Sequence, residues 1–178
     1  MFGEIRNALA LASRPTFRVV HFSVQTNHVH LVVEAHDKTT LSSGVRGLVI
    51  RAARGVNRAV GRAGRVWTDR YHAHALKTPR EVRNALVYVL LNRKKHGSFP
   101  GIFGLDMDPC SSAEWFDGWK ARPASAGRGL GPGGARGRPG TAKRAGEDPP
   151  VVPARTWLAT VGWRRHGLLR PDDAPTSV

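Results

Sequence analysis

His28 and His30 stand one residue apart in Asn27-His28-Val29-His30-Leu31-Val32-Val33. The β-branched residues around them mark a strand. Side chains alternate across a strand, so both imidazoles point to one face. Two imidazoles held this way can form a fork for a divalent cation. The same spacing also arises as two packed or solvated histidines. Tyr88 and Asn92 stand four residues apart in a segment with helical character, which puts a phenol and an amide on one helix face. A helix presenting Tyr88 and Asn92 toward a strand presenting His28 and His30 would assemble four groups of complementary chemistry. The histidines would bind Mg²⁺ or Mn²⁺, and the Asn92 oxygen would complete the shell, since a mixed nitrogen and oxygen site also takes phosphate. The cation would polarise the phosphate, and the phenol would attack phosphorus as a covalent nucleophile. Tyr71 is the rival nucleophile. It stands beside His72 and His74, a second His-x-His pair that reads as structural or as lying next to a bound ligand.

The elements that must position these groups follow from local pattern. Residues 4–13 read as a helix stopped by Pro15. Phe17 to Val24 and His28 to Ala35 read as strands, and Gln25-Thr26-Asn27 is short enough to join them as an antiparallel hairpin. Residues 40–63 read as a helix, with Gly44, Gly47, Gly55 and Gly61 weakening it by about 1 kcal/mol each. Trp67 to Leu76 reads as a short extended segment. Thr78-Pro79-Arg80-Glu81 opens the next helix: Thr78 suits the N-cap, Pro79 the first position, and Glu81 completes a capping box. That helix runs to about Lys95, with Gly97 as its stop.

Charge separates the function classes. The chain has 28 Lys and Arg against 13 Asp and Glu, a formal net charge of +15, and such a surface attracts polyanions, nucleic acid above all. The charge is uneven: residues 1–97 carry 17 basic and 5 acidic residues, net +12, and residues 98–178 carry 11 and 8, net +3. Arg51, Arg54, Arg58, Arg62 and Arg65 fall at spacings of 3, 4, 4 and 3, which is one helix face. A solvated basic face is one reading. A phosphate-contacting face is favoured, because few carboxylates sit nearby. With Arg70, Lys94 and Lys95 these arginines are the candidate DNA contacts. The single cysteine, Cys110, excludes a disulfide framework and a cysteine-based zinc site. No run of 18 apolar residues and no secretory signal layout occurs, so a cytoplasmic, nucleoid-associated protein with no membrane partner is expected.

Three segments in order resemble the single-tyrosine HUH transposases, and within them the REP-associated tyrosine transposases. Asn27-His28-Val29-His30-Leu31-Val32-Val33 resembles the HUH strand. Val66-Trp67-Thr68-Asp69-Arg70-Tyr71-His72-Ala73-His74-Ala75 is similar to the family's Trp-Gln-x-x-Tyr/Phe-x-x-His segment. Val87-Tyr88-Val89-Leu90-Leu91-Asn92-Arg93-Lys94-Lys95-His96-Gly97 resembles its catalytic helix. The resemblance covers roughly residues 1–100, and it departs from the usual pattern at Thr26 and Arg93, where the family has proline. It implies an α+β fold, a ferredoxin- or RRM-like antiparallel sheet with helices on one face. Met1 opens almost on the first helix, so the family's first strand is expected to be missing. The resemblance implies His28 and His30 as metal ligands, Tyr88 as nucleophile, Asn92 as a third polar ligand, and Tyr71 packed near the site. The implied function is DNA transposition: cleavage of single-stranded or hairpin DNA, leaving a 5′-phosphotyrosine and a free 3′-OH for rejoining, with a homodimer as one assembly it allows. The alternatives are a relative that holds DNA hairpins without cutting, and a basic RNA-associated protein.

Four regions follow. Residues 1–97 form the transposase-like domain. Residues 98–122 form a docking extension through Trp115, Phe116 and Trp119. Residues 123–154 form a disordered Gly/Pro-rich linker. Residues 155–178 form a short helical tail containing Trp157, Leu158, Val161 and Trp163.

Overall fold

The computed structural model describes residues 1–92, 108–120 and 148–174. Helix α1 spans Phe2–Ala10 and buries Ile5, Ala8 and Leu9, the i, i+3, i+4 stripe of an amphipathic helix. Strands β1 (Phe17–Val24) and β2 (Val29–Ala35) pair antiparallel. The tight turn is closed by Gln25 N donating to His28 O at 2.8 Å. Helix α2 spans Lys38–Ala59 and α3 spans Pro79–Leu90. The α+β class and the antiparallel sheet are as the sequence led one to expect, and among the described residues the sheet has two strands.

The register runs from Phe17 opposite Ala35 to Val24 opposite Val29, and it slips by one residue between Val19 and His21. This β-bulge has a consequence for packing. A one-residue slip exchanges the faces of everything beyond it. Phe17 and Val19 before the slip, and Phe22 after it, therefore all enter the cluster beneath α1 and α2. Val24, Val29, Leu31, Val33 and Ala35 join them at its margin. Each fully buried aromatic or aliphatic side chain here stabilises the fold by about 1.5–3 kcal/mol. Two of the glycines in α2 serve this packing. A Cβ at Gly44 would lie 2.3 Å from the Phe17 ring, and one at Gly55 would lie 2.7 Å from Glu4 of α1.

The opposite face of the sheet carries Val20 and Val32, and α3 packs on it through Val89. The expectation of helices on one face is therefore corrected: α1 and α2 cover one face and α3 the other. The outer side of α3 (Val82, Leu86, Val87, Leu90) packs against Phe116, Trp119, Trp163 and Leu169, so α3 is held from both sides.

A second correction concerns α2, which ends at Ala59 rather than near residue 63. Gly61 takes φ +64, a left-handed conformation that glycine adopts without steric cost. Asn57 braces the turn, accepting from Arg62 Nε at 3.2 Å and donating to Gly64 O at 2.8 Å. Residues 66–77 then run without helix or strand. Trp67 anchors their start, partly buried against the α1–α2 cluster, with its indole N–H donating to Val49 O at 3.0 Å.

Residues 108–120 run beside β1, with Val24 N donating to Cys110 O and Ser112 N donating to Phe22 O. Residues 148–174 return to the same strand and contain a four-residue helix, Trp157–Thr160, and a 3-10 turn, Gly162–His166. The expected helix end at Lys95, the Gly97 stop and most of the Gly/Pro-rich linker fall outside the described residues. The last residues assigned to that linker are described. Val151 is buried, and Val152 N donates to Val19 O at 3.0 Å.

Candidate active site

The site face of β2 carries His30, Val32 and Glu34 in alternation. His28 sits at the end of the turn, one residue before β2, and His30 lies opposite Ser23 of β1. The two Nε2 atoms converge to 2.8 Å. The rings meet edge to face, with centroids 4.5 Å apart. Asn27 Oδ1 lies 2.6 Å from His28 Nδ1. An amide oxygen only accepts, so the contact is a hydrogen bond when His28 carries a proton on Nδ1, and in the neutral ring that tautomer leaves the Nε2 lone pair facing His30. A carbonyl oxygen behind a histidine is the usual way a ligating ring is oriented. Asn27 is thus a site residue that sequence reasoning quoted but gave no role.

Helix α3 supplies the phenol. Its start is fixed by the expected capping box: Thr78 Oγ1 accepts from Glu81 N at 3.2 Å, and Glu81 accepts from Thr78 N at 3.0 Å. These backbone N–H groups, and that of Lys77, hold the Glu81 carboxyl below its usual range. Two turns later the Tyr88 ring packs edge to face on His30, with centroids 4.8 Å apart. Tyr88 and both histidines are partly buried, which leaves the cluster open to a ligand from solvent.

Asn92 is placed differently from the sequence expectation. α3 stops at Leu90 with Leu91 as its C-cap, so no continuous helix sets Asn92 on the face of Tyr88. Its side chain is fully buried, and neither amide atom has a hydrogen-bond partner. An unsatisfied buried amide costs about 1–3 kcal/mol, and such an atom is suited to a ligand. The structure records no hydrogen bond from it to either histidine.

The donor set suits a divalent cation in part. Two ligands adjacent on an octahedral cation stand about 3 Å apart, close to the observed 2.8 Å. Among the described residues no group of three or more His, Cys, Asp or Glu is gathered. Further ligands would therefore be amide, water or phosphate oxygens.

His21 lies on β1, opposite Val32. Its Nδ1 is 3.1 Å from Ser112 Oγ, and its ring meets Phe116 edge to face. Burial pushes its pKa down to about 4, opposed by the attraction of Asp117. It is a neutral packing histidine beside the site.

The basic residues divide. Arg51, Arg54 and Arg58 lie on α2, with Arg54 and Arg58 exposed. Arg62 and Arg65 do not continue that face, because the helix has ended. Arg62 folds back on Asn57, and Arg65 clasps the carbonyls of Trp67 and Thr68. Arg70 is exposed in the irregular stretch. Lys94 and Lys95 lie outside the described residues. Tyr71, the rival nucleophile, is 47% exposed.

Residues 6–89 match the family model described as transposase, IS200-like. This segment, a little under half of the chain, is similar to the IS200-like transposases. The match runs from α1 through Tyr88, so it contains the histidine pair, the tyrosine and the basic helix. The similarity supports DNA transposition as the function, and with it DNA binding and DNA cleavage. No curated protein and no solved structure matches the chain. No helix among the described residues is long and apolar enough to cross a membrane.

Proposed function

We propose that this protein is a single-tyrosine transposase of the REP-associated type, cutting and rejoining single-stranded DNA through Tyr88. The observation that carries the reading is the contact of Tyr88 with His30, 4.8 Å between ring centroids, inside the segment similar to the IS200-like transposases. His28 and His30 would hold Mg²⁺ or Mn²⁺, with Asn92 as a third, amide ligand. The bound cation would supply charge neutralisation at the scissile phosphate. Asn27 keeps the His28 lone pair directed into the site. Tyr88 Oη loses its proton and bonds to phosphorus, and the bond from phosphorus to the 3′ oxygen breaks. The 3′ oxygen takes up a proton and leaves as a free hydroxyl, while the 5′ side stays on the tyrosine. Attack by a 3′-OH on the phosphotyrosine reverses the sequence, joins the strand and restores the phenol. The phosphodiester energy is kept in the covalent link. Arg51, Arg54 and Arg58 would carry DNA phosphates past the site.

A second reading, a hairpin-binding protein that does not cut, draws on the missing third His, Cys, Asp or Glu ligand among the described residues. Incubation with single-stranded hairpin DNA and Mn²⁺ separates the two. The transposase reading expects a denaturant-resistant protein–DNA adduct that disappears in Tyr88→Phe. An adduct at undiminished level in Tyr88→Phe contradicts the assignment. Salt-dependent binding that survives His28→Ala and His30→Ala, with no adduct from any variant, supports the binding protein instead.

A further inference from the structure

Residues 148–174, beyond the matched segment, come back to the face of the sheet that carries the site. Val152 N donates to Val19 O at 3.0 Å, and the Arg18 guanidinium donates to Pro153 O at 2.5 Å. Ala154 then packs into the cluster of Val20, Val32 and Val89, where Tyr88 also packs. Immediately afterwards Glu34 gathers the chain. Its carboxylate accepts from Arg155 N at 2.8 Å, from Thr156 N at 2.8 Å and from the Thr156 hydroxyl at 2.7 Å. Arg18 Nε lies 3.7 Å away, and the Glu34 side chain is only 11% exposed. Beyond this point Trp163 and Leu169 bury against the outer side of α3. Arg83 of α3 donates to Gly167 O at 3.1 Å and pairs with Asp173 at 2.7 Å. The segment that Glu34 fixes is therefore the segment that presses α3 onto the sheet.

We infer that residues 148–174 form a clasp that sets the position of Tyr88 against His30, and that Glu34 is its positioning residue. Glu34 shares the strand face of His28 and His30, where a carboxylate would otherwise read as a further metal ligand. Two observations exclude that role. Four residues of strand separate it from His30, roughly 13 Å, and its oxygens are already taken by three donors of the clasp. Charge-assisted hydrogen bonds of this kind are about twice as strong as neutral ones, and a partly buried carboxylate stripped of them is costly. Glu34 therefore holds residues 154–156 firmly, Ala154 closes the cluster around Val89, and the Tyr88 ring keeps its contact with His30. Tyr71, which no such clasp covers, is left exposed.

The structural half of this inference is independent of the proposed reaction, and its kinetic half rests on Tyr88 being the nucleophile. The test uses the full chain with ¹³C-labelled histidine, because the Tyr88 ring current shifts the His30 ring signals. In Glu34→Ala the His30 signals move while those of His72 and His74 stay. The adduct rate at saturating single-stranded oligonucleotide falls by up to about a hundredfold, the cost of a misplacement near 1 Å, and oligonucleotide affinity is unchanged. Glu34→Gln, which keeps one acceptor oxygen, recovers part of the rate. Thr156→Val removes a single hydroxyl donor and moves the His30 signals in the same direction by less, so it decides the matter if Glu34→Ala does not fold. Unmoved His30 signals in a folded Glu34→Ala or Thr156→Val overturn the inference. If His30 responds but the wild-type chain forms no adduct, the clasp stands and the proposed reaction falls.

Discussion

The chain contains two His-x-His pairs, and the structure treats them in opposite ways. His28 and His30 lie at the start of a paired strand, covered by α3, and their Nε2 atoms meet at 2.8 Å. His72 and His74 lie in a stretch without helix or strand, and both are exposed. The spacing is the same, so spacing does not make the site. A strand partner fixes the alternation of side chains, and a covering helix brings the tyrosine. The two tyrosines repeat the contrast: Tyr88 packs on His30, whereas Tyr71 is 47% exposed.

The sharpest way to break this comparison is to exchange the histidines for alanine pair by pair. Loss of His28 and His30 is expected to abolish metal-dependent adduct formation. Loss of His72 and His74 should leave it within about twofold, as for surface changes away from structural features, which stay within about 0.5 kcal/mol. Equal losses from the two double variants, measured on denaturing gels, would end the distinction.

A second test uses His21, the buried histidine on the strand beside the first pair. Its folded pKa is depressed to about 4 from 6.5, so the fold favours the neutral ring. The unfolded chain takes up a proton near pH 6.5, and the folded chain does so only near pH 4. Stability is therefore complete above pH 6.5 and declines as pH falls toward 4, by at most about 3 kcal/mol. Urea unfolding midpoints should fall through that window in the wild type and flatten in His21→Phe. Glu81 and Asp37, held low by their helix caps, lose their contributions at lower pH than this. A His21→Phe profile parallel to the wild type would show that the ring is not buried as described.

The smallest effect concerns Asn27, which orients one member of the first pair and has no counterpart in the second. Asn27→Ala should weaken Mn²⁺ binding about 10–100-fold, as expected for loss of an outer-shell partner, with fold stability unchanged. Calorimetric titration with Mn²⁺ alone measures it. Unaltered affinity would mean that His28 needs no orienting group.

The parts of the fold legible in the sequence are those set by neighbours in the chain. Alternating β-branched residues gave β1 and β2, and Thr78-Pro79-Arg80-Glu81 gave the start of α3 to the residue. The parts that were not legible depend on distant contacts or on one backbone angle. The arginine spacing continued past residue 59, but the turn at Gly61 ended the helix and turned Arg62 and Arg65 aside. The outer cover of α3 comes from Trp163 and Leu169, far along the chain. Glu34 looked like one more polar residue on a strand, because its partners lie 121 and 122 residues away. In the candidate site, His28, His30 and Tyr88 were readable from pattern and resemblance. For Asn92 the expected unbroken helix stops at Leu90, because a helix end is set by contacts beyond the local spacing.

The central claim is that Tyr88, and not Tyr71, is the group that bonds to DNA. Incubating the full chain with a single-stranded hairpin oligonucleotide and Mn²⁺, then digesting and locating the nucleotide adduct by mass spectrometry, tests it directly. The account predicts phosphate-linked nucleotide on the peptide containing Tyr88 and none on the peptide containing Tyr71. Adduct on Tyr71, or on neither tyrosine while the strand is nonetheless cut, would contradict it.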